Sequence, residues 1–150
     1  MQPDTYEYIR NGNHFVYEFF SEGSKGGIKK IVRFALRFSY GTPFYNLALG
    51  DLLQVTGGIN DSIESNNGDT LKILATVAAI VIDFTNYFPD ALVYFEGSTR
   101  GRNRMFQMVI NRFMREIDPL FEVFGLKDDG EWEPFQKNRN YNGFLAKRKI

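Results

Sequence analysis

A chain of 150 residues with no cysteine excludes disulfides, thiolate nucleophiles and cysteine-held zinc, and its single histidine excludes a histidine-based metal cluster. The 18 basic and 18 acidic residues cancel, so an anionic partner has to be met by local clustering rather than by bulk charge. Fifteen Phe and eight Tyr supply apolar surface for a substantial core, and the length is that of one domain, residues 1–150.

Local clustering is present. Three windows, 25–37, 100–115 and 137–149, each carry five of the 18 basic residues and no acid, while acids gather at 51–69 and 116–133. Such segregation can put a basic face on a neutral protein. No secretory pattern opens the chain, and no apolar run is read as long enough to span a bilayer. The expectation is a cytoplasmic protein without membrane contact.

In chain order, residues 5–9 and 14–20 are rich in Tyr, Phe and Val and predict two strands about an Asn11-Gly12 turn. Residues 21–27 read as a glycine-rich connection. Residues 28–38 alternate: Lys30, Val32, Phe34, Leu36 and Phe38 share one face, and Lys29, Ile31, Arg33, Ala35 and Arg37 share the other. That is the pattern of an antiparallel strand packed on one side and open on the other. After a turn at 41–43, a strand is predicted over 44–53 and a polar loop over 55–67. Asn66, Asn67 and Asp69 offer caps for a helix over 71–88, with Leu71, Leu74, Val77, Ala78, Val81, Phe84 and Phe88 as its inward stripe. Ile73, Ile80 and Ile82 make this helix apolar nearly all round, and Pro89 ends it.

A short strand at 91–95 precedes a second helix over 100–117. Met105, Val109, Phe113 and Ile117 are expected inward, and Arg100, Arg104, Gln107, Asn111 and Arg115 on the opposite stripe. A strand at 121–126, a segment at 131–135 with the single Trp, and a last strand within 141–149 complete the chain. The predicted architecture is α+β, an antiparallel sheet of about five to six strands with two helices packed on one face.

The stretch 91–108 organises the functional reading. Its strand-length run ends at Gly97-Ser98-Thr99, whose hydroxyls can cap the helix that follows. Arg100, Arg102 and Arg104 then occupy the first turns, where the helix dipole favours negative charge. Cations accepted at that cost, beside free backbone N–H groups, fit a phosphate or carboxylate. They equally fit an ion pair with an acid of a neighbouring element, or a solvated face. The glycine spacings of a P-loop and of a dinucleotide fold are both absent, and no cofactor is implied. A nucleic-acid backbone asks only for several donors and cations on one surface. Lys29, Arg33 and Arg37, with Tyr17 or Tyr45 beside them, offer a second surface of that kind.

Four motifs in order resemble those of a family of uncharacterised single-domain proteins associated with Bacteroidota. They are Tyr45-Asn46-Leu47-Ala48-Leu49-Gly50-Asp51, Asn66-Asn67-Gly68-Asp69, Gly97-Ser98-Thr99 with Arg102, Arg104 and Met108, and Trp132-Glu133-Pro134-Phe135. The resemblance spans nearly the whole chain and implies a single-domain cytoplasmic protein, with no activity attached. In its sheet-plus-helix outline the chain is also similar to single-strand-binding proteins of the Whirly, Pur and related types, a likeness of fold that carries no residue across.

The expected function is a non-enzymatic binding module for an anionic partner, single-stranded DNA or RNA, using Ser98, Thr99, Arg100, Arg102, Arg104, Lys29, Arg33 and Arg37, in a chain that can form a homo-oligomer. The alternative is a protein-interaction or regulatory subunit that uses the exposed sheet and the aromatic C-terminal segment. A metal-dependent nuclease ranks third. It would gather Asp51, Asp69 and Glu96 around Mg²⁺, and each of these has a plainer role at a strand end or helix cap. His14 reads as structural, and Ser98 and Thr99 lack a base to activate them.

Overall fold

The computed structural model describes residues 4–23, 26–52, 59–60, 69–97 and 99–149, with backbone alone at 51–52 and 59–60. Lys25, Ser98, the Asn66 and Asn67 caps and most of the 55–67 loop lie outside the described residues. The chain forms two compact units, one of Met1–Ala35 with Leu47–Tyr87 and one of Leu36–Asn46 with Phe88–Ile150.

The first unit is built on β1 (Tyr8–Arg10), β2 (Val16–Gly23) and the first part of β3 (Gly26–Ser39). Antiparallel register sets Tyr17 opposite Val32, Phe19 opposite Lys30 and Ser21 opposite Ile28, so these pairs share a face that Phe34 continues by parity. Against it lies α1 (Thr70–Tyr87), whose Phe84 stacks on Phe34 with ring centroids 3.9 Å apart. Here β4 (Thr42–Leu52) pairs with β5 (Ile59–Asn60) through Asp51 and Leu52.

The inward side of α1 is Ile73, Thr76, Ile80 and Phe84, flanked by Leu74, Val81 and Thr85. Val77 is only half-buried, and Leu71 and Ala78 are exposed, so the expected stripe is turned. A helix apolar nearly all round does not announce its rotation. Two threonines reach the interior because their hydroxyls donate back to helix carbonyls, Thr76 to Lys72 and Thr85 to Val81, both at 2.8 Å. Thr76 Oγ1 also accepts from the Tyr6 backbone N–H at 2.8 Å. With 18 residues and a mean hydropathy of 1.3, α1 is long and apolar enough to cross a membrane by length and composition, which corrects the expectation that no run is.

The second unit begins with the hairpin between β3 and β4, which turns at Tyr40 and Gly41 with φ of 49° and 81°. Two successive positive φ values make the tight turn that matches strand twist, one residue earlier than predicted. Its other elements are β6 (Leu92–Phe95), α2 (Arg100–Arg112), α3 (Met114–Ile117), β7 (Phe121–Leu126), β8 (Trp132–Pro134) and β9 (Gly143–Arg148). The antiparallel pairs β6–β9, β9–β7 and β7–β8 set Phe144 opposite both Phe95 and Gly125. Phe144 is fully buried, stacks on Phe95 at 5.4 Å and anchors a cluster with Ile110, Tyr141, Phe106 and Phe135. Gly125 is required there, because a Cβ would occupy the Tyr141 ring.

Strand order along the hydrogen-bonded path is β1-β2-β3-β4-β6-β9-β7-β8, with β5 beside β4. The protein is α+β, but the sheet is mixed, since β4 and β6 run parallel through Tyr45–Val93 and Asn46–Tyr94. The chain between those strands includes α1, which gives it the length a parallel crossover needs and a hairpin lacks. Eight strands lie on the path where about five to six were predicted; β1 and β8 are three-residue pieces, and β8 falls in the 131–135 segment that was not read as a strand. Both ends of the path are thus three residues long, and β8 includes Pro134. Three helices replace two. Phe113, at φ −106° and ψ 20°, leaves helical geometry and divides the 100–117 helix into α2 and α3. The helices are also shared out, α1 to the first unit and the other two to the second.

Burial pushes the hydroxyls of Tyr8, Tyr17 and Tyr94 from 10.0 up to about 12, assisted by a hydrogen bond to Asp83 at Tyr8 and by the charges of Asp83 at Tyr17 and Glu96 at Tyr94. The folded form therefore keeps protons that the unfolded chain gives up at about 10. The stability they contribute is complete below that pH and is lost as pH rises from about 10 to about 12. Phenolate absorbance and circular dichroism, followed together, should show a group of tyrosines that ionises only as the fold is lost. All eight tyrosines ionising near 10 with the dichroism intact would contradict this.

Candidate anion-binding face

The junction of β6 and α2 is tightly built. The Gly97 N–H donates to Asn103 Oδ1 at 2.7 Å, and a Cβ on Gly97 would fall 2.5 Å from Arg102 Cβ. Thr99 is the N-cap, extended at φ −139°, with Oγ1 accepting from the Arg102 N–H at 3.2 Å. Asn103 Nδ2 donates to the Asn142 carbonyl at 3.3 Å, tying the start of α2 to the segment before β9. No acid occupies the first turn of α2. The predicted cap is therefore present in Thr99, while Ser98 lies outside the described residues.

These bonds set how α2 is rotated. Gln107 and Ile110 are buried and Phe106 is half-buried, whereas Met105 and Met108 are exposed, Met108 at 68 %. The inward placement of Met105 and the outward placement of Gln107 are both corrected. The exposed stripe is Arg100, Arg104, Met108 and Arg112, four residues apart along one side. Arg102 is half-buried against Gly97 and interacts within the fold. Among the described residues Arg100 and Arg104 pair with no acid, and Arg112 lies over its neighbour Phe113, 5.9 Å from the ring centroid.

On β3, parity puts Lys29, Arg33 and Arg37 on one face of the strand, as the alternation predicts. That face is not uniformly open. Ile31 between them is 3 % exposed, and Lys29 Nζ lies 3.5 Å from Glu18 Oε2 on β2. Arg33 is exposed, and exposed Arg37 donates to the Leu36 carbonyl at 3.0 Å. Tyr17 does not flank these cations. It pairs with Val32 on the opposite face, is fully buried and meets Phe34 edge-on. The aromatic beside Lys29 is its cross-strand partner Phe20, 56 % exposed, which the register of β2 reveals and the alternation of β3 alone does not. Tyr45 is half-buried, with Phe88 6.2 Å away.

Two carboxylates of the nuclease alternative have other occupations. Asp69 accepts from the hydroxyls of Tyr6 and Ser21, and Glu96 accepts from the Tyr94 hydroxyl at 3.0 Å. The Asp51 side chain lies outside the description. Among the described residues no three His, Cys, Asp or Glu side chains are grouped to hold a metal ion.

Residues 2–149 match the family model described as a family of unknown function (DUF6934). No curated protein and no solved structure matches the chain.

Proposed function

Because the chain belongs to that family of unknown function, its role has to be argued from its own surface, and we propose that it is a non-enzymatic module that binds single-stranded nucleic acid along the exposed side of α2. The observation that carries this reading is the stripe Arg100, Arg104, Met108 and Arg112, with no acid in the first turn and no acid paired to Arg100 or Arg104 among the described residues. Four residues of helix rise about 6 Å, so the cations follow one another along a line, as an extended anionic chain requires. Met108 between them is an adaptable apolar surface for a base.

The test is the double variant Arg100→Ala with Arg104→Ala. Binding to short single strands should weaken to a similar extent for unrelated sequences. The slope of log affinity against log salt should fall by about 1.4, two single-strand phosphate contacts. A variant that folds and keeps wild-type affinity and slope overturns the assignment. A second reading, a protein partner, is favoured by the hairpin residues Leu36, Phe38 and Tyr40, all exposed. A concentration-dependent hetero-complex that forms without nucleic acid and is abolished by Phe38→Ser would select it.

A further inference from the structure

A cleft of about 490 Å³ opens where α2 gives way to α3. Three cations line it from separate elements: Arg112 ends α2, Arg115 lies in α3, and Lys137 comes from the loop after β8. That loop is braced. The Tyr141 hydroxyl donates to Glu133 Oε2 at 2.5 Å and accepts from the Gln136 N–H at 3.1 Å, and Arg139 holds the other Glu133 oxygen at 3.1 Å. Lys137 is thus brought to the cleft by a shaped backbone, with the next residue, Asn138, at φ 68°. The one acid in the lining, Asp118, already meets Lys149 at 3.5 Å. Three like charges on one lining, where Asp118 is the one acid among the described residues, make a site for an anion.

The remainder of the lining narrows the class. Met114 and Pro119 are apolar and offer a surface to a planar ring. The volume falls within the range of about 300–1,000 Å³ usual for small-molecule sites and far exceeds one phosphate. We propose that the cleft is a nucleotide site. Arg112, Arg115 and Lys137 hold the phosphate, and Met114 and Pro119 receive the face of the base. The inference deepens the nucleic-acid reading and rests on it, for the nucleotide is a unit of the bound strand that continues past Arg112. The same chemistry admits a free nucleotide.

The experiment titrates the full chain with AMP, adenosine, inorganic phosphate and a short single-stranded oligonucleotide. AMP should bind, with adenosine and phosphate each at least about tenfold weaker. Arg115→Ala with Lys137→Ala, in a folded variant, should weaken AMP at least about tenfold, since two charge-assisted contacts are lost. Absence of AMP binding, AMP binding indifferent to the loss of Arg115 and Lys137, or phosphate binding as tightly as AMP overturns the nucleotide assignment. AMP binding without oligonucleotide binding keeps the cleft and sinks the strand reading. Oligonucleotide binding that depends on Arg100 and Arg104 without AMP binding does the reverse. Oligonucleotide and AMP competing for one site would mark the strand as the source of the nucleotide, and independent binding would mark a free one.

Discussion

Phe84→Ala is expected to cost about 3–5 kcal/mol of unfolding free energy. Phe84 is fully buried on α1, its ring nearly coplanar with Phe34 at 1° between planes and tilted against Phe15 at 6.1 Å. The strand side of this contact cannot close the gap by moving, because Phe34 and Val32 are held by their own strand and by Tyr17 edge-on at 5.8 Å. The cavity therefore stays open, and the loss includes both transfer and missing contacts. Denaturant unfolding measures it as a lower midpoint at unchanged slope. Phe38→Ala, at an exposed aromatic, is the control and should stay within about 0.5 kcal/mol. A Phe84→Ala shift no larger than that control would show that α1 does not pack through this ring.

Phe144→Ala is expected to cost a similar amount, about 3–5 kcal/mol, in the second unit. Phe144 touches the rings of Phe95, Phe106, Phe135 and Tyr141. Truncation removes a shared partner from four aromatics, and Gly125 opposite it has no side chain to move into the space. Because Phe106 is a residue of α2, the seat of the arginine stripe loosens as well, so oligonucleotide affinity should fall along with the midpoint. A midpoint within about 1 kcal/mol of wild type, measured by denaturant, would contradict the placement of this core.

What could be read from the sequence follows the strength of its periodic signals. The 121–126 strand is observed with the expected bounds, and the alternation of β3 puts Val32 and Phe34 on the packed side as predicted. The helices were legible in place but not in rotation. The inward side of α2 includes Asn103, pulled in by hydrogen bonds to Gly97 and Asn142, and no hydrophobic pattern records a polar anchor. That anchor carries Gln107 inward with it and leaves Met105 and Met108 in solvent. The parallel pairing of β4 with β6 depends on two ladder positions, Tyr45 and Asn46, too few to mark a sequence. Among the candidate site residues, Arg100 and Arg104 lie on the exposed side of α2, with Thr99 as its N-cap. Lys137 was missed because the loop that places it is set by Glu133 and Tyr141, and its signal was only the third basic window.

The short terminal strands bear on how the protein behaves at high concentration. An outermost strand displays unpaired N–H and C=O groups, and another chain can dock on such a row and start a fibril. Here β1 offers only three residues, with Arg10 at its end, and β8 offers three of which Pro134 has no N–H to give. Neither row is long enough to register an incoming strand over more than a ladder pair or two. A protein rich in phenylalanine and tyrosine thus offers, at β1 and at β8, rows too short to seed growth by strand addition.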